Sequence, residues 1–192
     1  MRCRRALPFG TILINGRLSL RQILAGLLVM IAGPTWADDY WQYGSWGVFL
    51  EEQDTGQDLR RTCSAVSGVD GGPTVMISVS NGDAGPPDFF PTVLIFEQAI
   101  RKFNTSLRGG QAAYINFNDG NLWNGEVDHY VSDEGLARAD IAFDHPLSQS
   151  VLRAMRKNSD FDVVVEGKRF MTVNLAGFSA AYLKMLDECG FS

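Results

Sequence analysis

Metal-binding and nucleophilic groups are what this sequence has least of. Its 192 residues include two histidines, His129 and His145, and three cysteines, Cys3, Cys63 and Cys189. No two of these stand at the spacing of an HxH, HxxxH or CxxC ligand pair. A zinc site therefore has no signature in the chain. A Walker phosphate loop and a GxGxxG dinucleotide fingerprint are both missing. Gly177-Phe178-Ser179-Ala180-Ala181 starts like the nucleophile elbow Gly-x-Ser-x-Gly but lacks the second glycine that the strained turn requires. Ser179 reads instead as a hydroxyl capping the start of a helix. No cofactor and no metal are expected, and no catalytic residue is assigned.

A long apolar run is also missing. The greasiest stretch, Ile23 to Ile31 with its neighbours, spans roughly ten to fifteen residues, short of the ~20 that a spanning helix needs. It follows a basic end carrying Arg2, Arg4, Arg5, Arg17 and Arg21 and precedes Gly33-Pro34-Thr35-Trp36-Ala37. Positive end, short apolar core, breaker and small residue are the order of a cleavable secretion signal. Residues 1–37 are read as that signal, with the cut between Ala37 and Asp38. An uncleaved anchor fits Pro34 and the Asp38-Asp39 pair less well. A twin-arginine signal on Arg4-Arg5 lies too far from the apolar core. The expected location is the periplasm, or secretion from a Gram-negative bacterium, with no stable membrane insertion after cleavage.

Losing that segment removes five arginines and no acid, leaving 12 Lys+Arg against 22 Asp+Glu, a net charge near −10 in place of −5. Such a surface repels phosphate backbones and anionic headgroups, so no nucleic-acid partner is expected. The remaining ~155 residues, 38–192, suit one globular domain.

Two cysteines stay in that domain. In an oxidising compartment an even count suggests a bridge between Cys63 and Cys189. It would close a loop of ~125 residues, worth up to about 4–5 kcal/mol on the chain-entropy view. Two separate buried thiols are the alternative.

Periodicity reads mostly as strand. Trp46, Val48 and Leu50 alternate, and Leu59 to Val66 carries Cys63. Val75, Ile77 and Val79 alternate with Thr74, Met76, Ser78 and Ser80. Further strands are read at Val93–Phe96, Tyr114–Phe117, Leu122–Val131 and Ala137–Phe143. Phe161 to Val165 and Met171 to Leu175 form a hairpin around Glu166-Gly167-Lys168. Two helices follow the same logic. One is opened by His145-Pro146, with the proline suited to the first helical position, and carries Leu147, Val151, Leu152 and Met155 on one face. The other buries Phe178, Ala181, Tyr182, Met185, Leu186 and Cys189 and ends at Gly190. The fold class expected is mainly β: an antiparallel β-sandwich or half-barrel with two short helices in the C-terminal half.

The remaining candidates for chemistry have plainer readings. His129 reads as a surface strand residue and His145 as a helix cap. Glu126, Asp128, Asp133, Glu134 and Asp140 form an acidic run that reads as a solvated face; a hydrolase would need two of them facing each other across a defined gap. Asn104-Thr105-Ser106 matches a glycosylation sequon by chance. Trp41, Tyr43 and Trp46 read as an anchoring first strand, with a binding surface as the alternative.

Three segments resemble the invasion-associated locus B family of exported alphaproteobacterial proteins. They are Ile115-Asn116-Phe117-Asn118-Asp119-Gly120, Gly135-Leu136-Ala137-Arg138-Ala139, and Val173-Asn174-Leu175-Ala176-Gly177-Phe178-Ser179-Ala180-Ala181 before a last short helix. Trp46 and the strand holding Cys63 extend the likeness toward the N-terminus. Members of that family commonly carry further central cysteines, which this chain lacks. The resemblance implies a non-enzymatic envelope or secreted protein, in some members linked to host-cell invasion, and brings no catalytic residues with it.

The expected function is therefore non-catalytic: an exported protein acting by protein–protein contact at the envelope or a host surface, with its oligomeric state left open. Two rivals stand beside it. One is a periplasmic inhibitor or immunity protein, whose acidic surface would steer it onto a basic cell-wall hydrolase. The other is a hydrolase built on the acidic run.

Overall fold

The computed structural model of the chain describes residues 39–68 and 72–191. Residues 1–37, expected to be a secretion signal, and the expected cut between Ala37 and Asp38 lie outside them. The fold is mainly β, with two antiparallel sheets and two helices in the C-terminal half, as the periodicity predicts.

The larger sheet has seven strands in the order β1-β2-β3-β4-β5-β9-β8. Its first five strands are a meander: β1 (Asp39–Tyr43), β2 (Trp46–Asp54), β3 (Leu59–Gly68), β4 (Thr74–Ser80) and β5 (Val93–Gln98). It is completed by β9 (Ala137–Phe143) and β8 (Asp128–Val131). The smaller sheet has four strands in the order β11-β10-β6-β7, from β6 (Ala112–Phe117), β7 (Leu122–Glu126), β10 (Asp160–Val165) and β11 (Lys168–Asn174). Helix α1 (Leu147–Met155) packs on β5 and β9, and helix α2 (Phe178–Glu188) on β1 to β4. The edges stay open, so the sheets do not close into a barrel.

Side-chain alternation decides what is buried. Val48, Ala65, Val75, Ile77, Ile95 and Ile141 turn one face of the large sheet inward and are fully buried. The small sheet meets them with Ile115, Phe117, Phe161 and Val163. The rings of Phe117 and Phe161 lie 5.1 Å apart. Trp46 is wholly enclosed, its ring 4.8 Å from that of Phe178. Its Nε1 donates to the carbonyl of Asn174 at 3.0 Å, satisfying the one polar atom that burial would strand.

The anchoring first strand expected from Trp41, Tyr43 and Trp46 is two paired strands: Trp41 and Tyr43 lie on β1, and Trp46 opens β2. Trp41 and Tyr43 pack against the core beside Trp46, which gives the three aromatics the anchoring role. Trp41 also carries Lys184 Nζ of α2 over its ring at 4.3 Å.

The single strand expected over Leu122–Val131 is two strands in different sheets. β7 pairs with β6, and β8 pairs with β9. The chain crosses between sheets at Val127, which is buried and out of both ladders. Its carbonyl accepts the Gly110 N–H at 2.8 Å and its N–H donates to Gln111 at 3.0 Å. Gly125 permits the crossing, because a β-carbon there would stand 3.0 Å from Ile141 Cγ2.

Cys63 and Cys189 are bridged, with Cα atoms 6.0 Å apart. The bond ties β3 to the residue that closes α2. All six residues of the expected α2 stripe are buried. In α1, by contrast, Leu147 is exposed and Ser148 takes the inward place, its hydroxyl donating to the Phe90 carbonyl at 3.2 Å.

Candidate functional site

The residues that sequence singled out for chemistry do not converge. His129 sits exposed on β8 and lines a cleft of about 400 Å³ with Asn104 and Arg108. His145 does not cap α1, whose N-cap is Pro146 without a side-chain bond. Its Nδ1 accepts the Phe90 N–H at 3.4 Å, and its ring lies 4.6 Å from that of Phe89. It therefore fastens the loop between β4 and β5. Ser179 does not cap α2 either. The N-cap is Gly177 in a left-handed conformation with no side-chain bond. The bend before it is held by Asn174, whose Oδ1 accepts the Ala176 N–H at 2.7 Å.

Two of the five clustered acids meet. Asp128 and Asp140 are direct partners across β8 and β9. Asp140 is already engaged: it pairs with Arg138 Nε at 2.8 Å and accepts the Tyr130 hydroxyl at 2.8 Å. Arg138 in turn lies over the Phe96 ring at 4.3 Å. Burial, and then the bond to Asp140, hold the Tyr130 hydroxyl above its usual range. Glu126, Asp133 and Glu134 are exposed elsewhere. None of the five lines the clefts around His129, around Phe89 or around Phe96. Among the described residues, no three metal-ligating side chains gather.

What the fold does assemble is a face. The side of the large sheet that turns away from the core presents Thr62, Ser64 and Val66 from β3 and Thr74, Met76, Ser78 and Ser80 from β4. From β5 it presents Leu94, Phe96 and Gln98. All but the exposed Gln98 are half-buried, and they alternate with the buried Cys63, Ala65, Val75, Ile77, Val79, Val93 and Ile95. Register aligns them into rows. Val66, Met76 and Leu94 form one apolar row, and Ser64 and Ser78 a polar one. Ser64 donates to Ser78 at 3.1 Å, and Thr62 and Ser80 share a bond at 3.2 Å. Toward β1 the face ends in Tyr40 and Phe49, rings 4.9 Å apart and 51% and 43% exposed.

None of these residues carries a charge. Charge begins at the margins: Glu51 and Arg60 at one end, Arg138 with Asp140 at the other. Beyond Phe96 the face opens into a cleft of about 450 Å³ walled by Ile100, Arg101 and Leu136. Ile100 is 69% exposed. An uncharged centre with a rim of both signs is how the core of a protein interface is composed. The chemistry it offers is association: apolar area, and hydroxyls that both donate and accept.

The signal for this face was present in the sequence. The polar half of the β4 alternation holds Thr74, Ser78 and Ser80 and no Lys, Glu, Asp or Arg, an omission that means little until the neighbouring strands prove to share it.

Compared with protein-family models, curated proteins and solved structures, the chain matches none.

Proposed function

We propose that this is an exported, non-catalytic protein that works by protein–protein contact in the periplasm or outside a Gram-negative cell. The contact is made through the outer face of the seven-stranded sheet. The observation that carries this reading is the run of uncharged outward residues on β3, β4 and β5 in a chain of net charge −5. Charged side chains are the usual means of keeping an exposed sheet face solvated and solitary. Their omission from the middle of three adjacent strands, with Arg60 only at the outer end of β3, leaves a surface suited to being covered.

Two further features support the reading. The Cys63–Cys189 bridge suits an oxidising compartment. The likeness of the C-terminal segment to the invasion-associated locus B family belongs to the same proposal, and with it an envelope or host-surface setting. Part of that segment has a structural task here: Asn174, Ala176 and Gly177 bind and accommodate the β1–β2 turn.

Photo-crosslinking in the exporting cell tests this. A photoreactive side chain at Met76 or Leu94 is expected to give protein adducts, and the same group at Lys168, on the far hairpin, is not. Silence at Met76 and Leu94 alike would overturn contact through this face. A hydrolytic activity lost in Asp140→Asn would overturn the non-catalytic reading.

A further inference from the structure

We infer that the occupant of the outer face is a second copy of this chain, related to the first by a twofold axis. This rests on the proposed contact function and names its partner.

Charge argues first. A foreign partner selected by a strongly acidic protein is ordinarily cationic and is drawn in by acidic side chains at the contact. The rows of Val66, Met76 and Leu94 and of Ser64 and Ser78 offer it no acid. For two identical acidic chains, an uncharged face is where close approach meets least repulsion.

Shape argues second. The face is a twisted antiparallel sheet, and sheets of one twist pack on each other with their strands about 30° apart. Such a surface is complementary to a copy of itself without rearrangement. Clefts lie on two sides of it, one at Phe96 and one where Ser78 meets Asp83 and Phe89, and the row of Val66, Met76 and Leu94 between them lines neither.

Hydrogen bonding argues third. The ladder of Thr62 with Ser80 and Ser64 with Ser78 is built from hydroxyls. Each can donate and accept, so an identical ladder can satisfy it across a twofold axis.

Area sets the strength. Five strands at ~4.8 Å spacing and about 20 Å of strand length outline roughly 500 Å² per copy. The pair would bury on the order of 1,000–1,200 Å², the lower end of what specific association uses. The dimer is accordingly a weak, reversible one in the micromolar range.

Sedimentation of the exported, oxidised chain from low micromolar to near-millimolar concentration reads this directly. The expected result is a reversible doubling of mass. Met76→Lys and Met76→Glu, at the middle of the face, should each weaken it ~10-fold or more while leaving the circular dichroism unchanged. Mixing the two variants should restore it, because each face then meets the opposite charge; a folding defect would not be rescued. A chain that stays monomeric throughout, while Met76 still crosslinks to a different protein in the cell, overturns the second copy and leaves the contact function standing. A monomer without crosslinks sinks both. A dimer indifferent to either substitution overturns the assignment to this face.

Discussion

Gly177 lies with its α-carbon against the carbonyl of Tyr43: a β-carbon added there would begin 2.0 Å from that oxygen. The arrangement is reciprocal, since a β-carbon on Gly44 would stand 2.4 Å from the Ala176 oxygen. The Ser45 N–H completes it by donating to Ala176 at 3.0 Å. Two turns far apart in sequence thus touch backbone to backbone, and both glycines have positive φ, 56° and 90°. Gly177→Ala and Gly44→Ala should each destabilise the fold by about 3 kcal/mol, combining left-handed strain with collision. Gly167→Ala, also left-handed but with open space around it, should cost only about 1–2 kcal/mol. Urea unfolding of the three variants checks the ranking; equal losses would remove the collision from the explanation.

The bridge between Cys63 and Cys189 closes a loop of 126 residues. Replacing both by alanine should lower stability by about 2–5 kcal/mol, the upper figure being that of the chain-entropy relation for so long a loop. Denaturation midpoints of the oxidised chain, the reduced chain and the double variant measure it. The reduced chain and the double variant should agree to within the cost of removing two buried sulfurs.

Tyr182 of α2 buries its hydroxyl with no hydrogen-bond partner among the described residues. Burial pushes its pKa up to about 12, the charge of Arg156 opposing only in part. In the unfolded chain this tyrosine loses its proton near pH 10, so the unfolded state binds fewer protons between those values. Stability from this group is complete below pH 10 and falls by about 2 kcal/mol as the pH rises toward 12. Tyr182→Phe should remove that slope and at neutral pH be neutral or stabilising by up to about 1 kcal/mol, because it deletes an unsatisfied polar atom. Unfolding free energies against pH for both proteins decide it.

Glu97 organises the loop that leads from the large sheet to the small one. Its carboxylate accepts the Ser106 N–H at 2.9 Å, the Leu107 N–H at 3.1 Å and the Ser106 hydroxyl at 2.8 Å. Glu97→Ala should cost about 2 kcal/mol and speed hydrogen exchange at the Ser106 and Leu107 amides. Protection unchanged at both would show that the loop is held by Leu107 packing alone.

How much of this could be read beforehand depended on whether a feature was local. The alternation of Val75, Ile77 and Val79 with their polar neighbours fixed both the strand and its buried face, since period two has one solution. The α2 stripe ending at Cys189 placed a thiol on the inward side, and the disulfide followed. Leu122–Val131 failed because alternation continues smoothly through a place where the partner strand changes; only Gly125 marks it, and its crowding depends on Ile141 across the core. Leu147 failed for a similar reason. Helix α1 is rotated by the tether from Ser148 to Phe90 and by the bond from Trp123 Nε1 to Ser150 Oγ at 2.9 Å. Ser179 failed because Gly177, not a hydroxyl, turns the chain into α2. The uncharged face was invisible strand by strand, because a handful of neutral residues on one strand is ordinary and only lateral pairing shows that three strands share the omission.

The covalent link between β3 and the close of α2 also sets a schedule. Cys63 leaves the ribosome, and under export crosses the membrane, well over a hundred residues ahead of its mate. For all that time it is a reactive thiol with nothing correct to join. The one other cysteine in the chain is Cys3, and under the proposed cut after Ala37 it would be removed with residues 1–37. Mispairing is then avoided by subtraction, and oxidation becomes a stamp applied only once the tail has arrived.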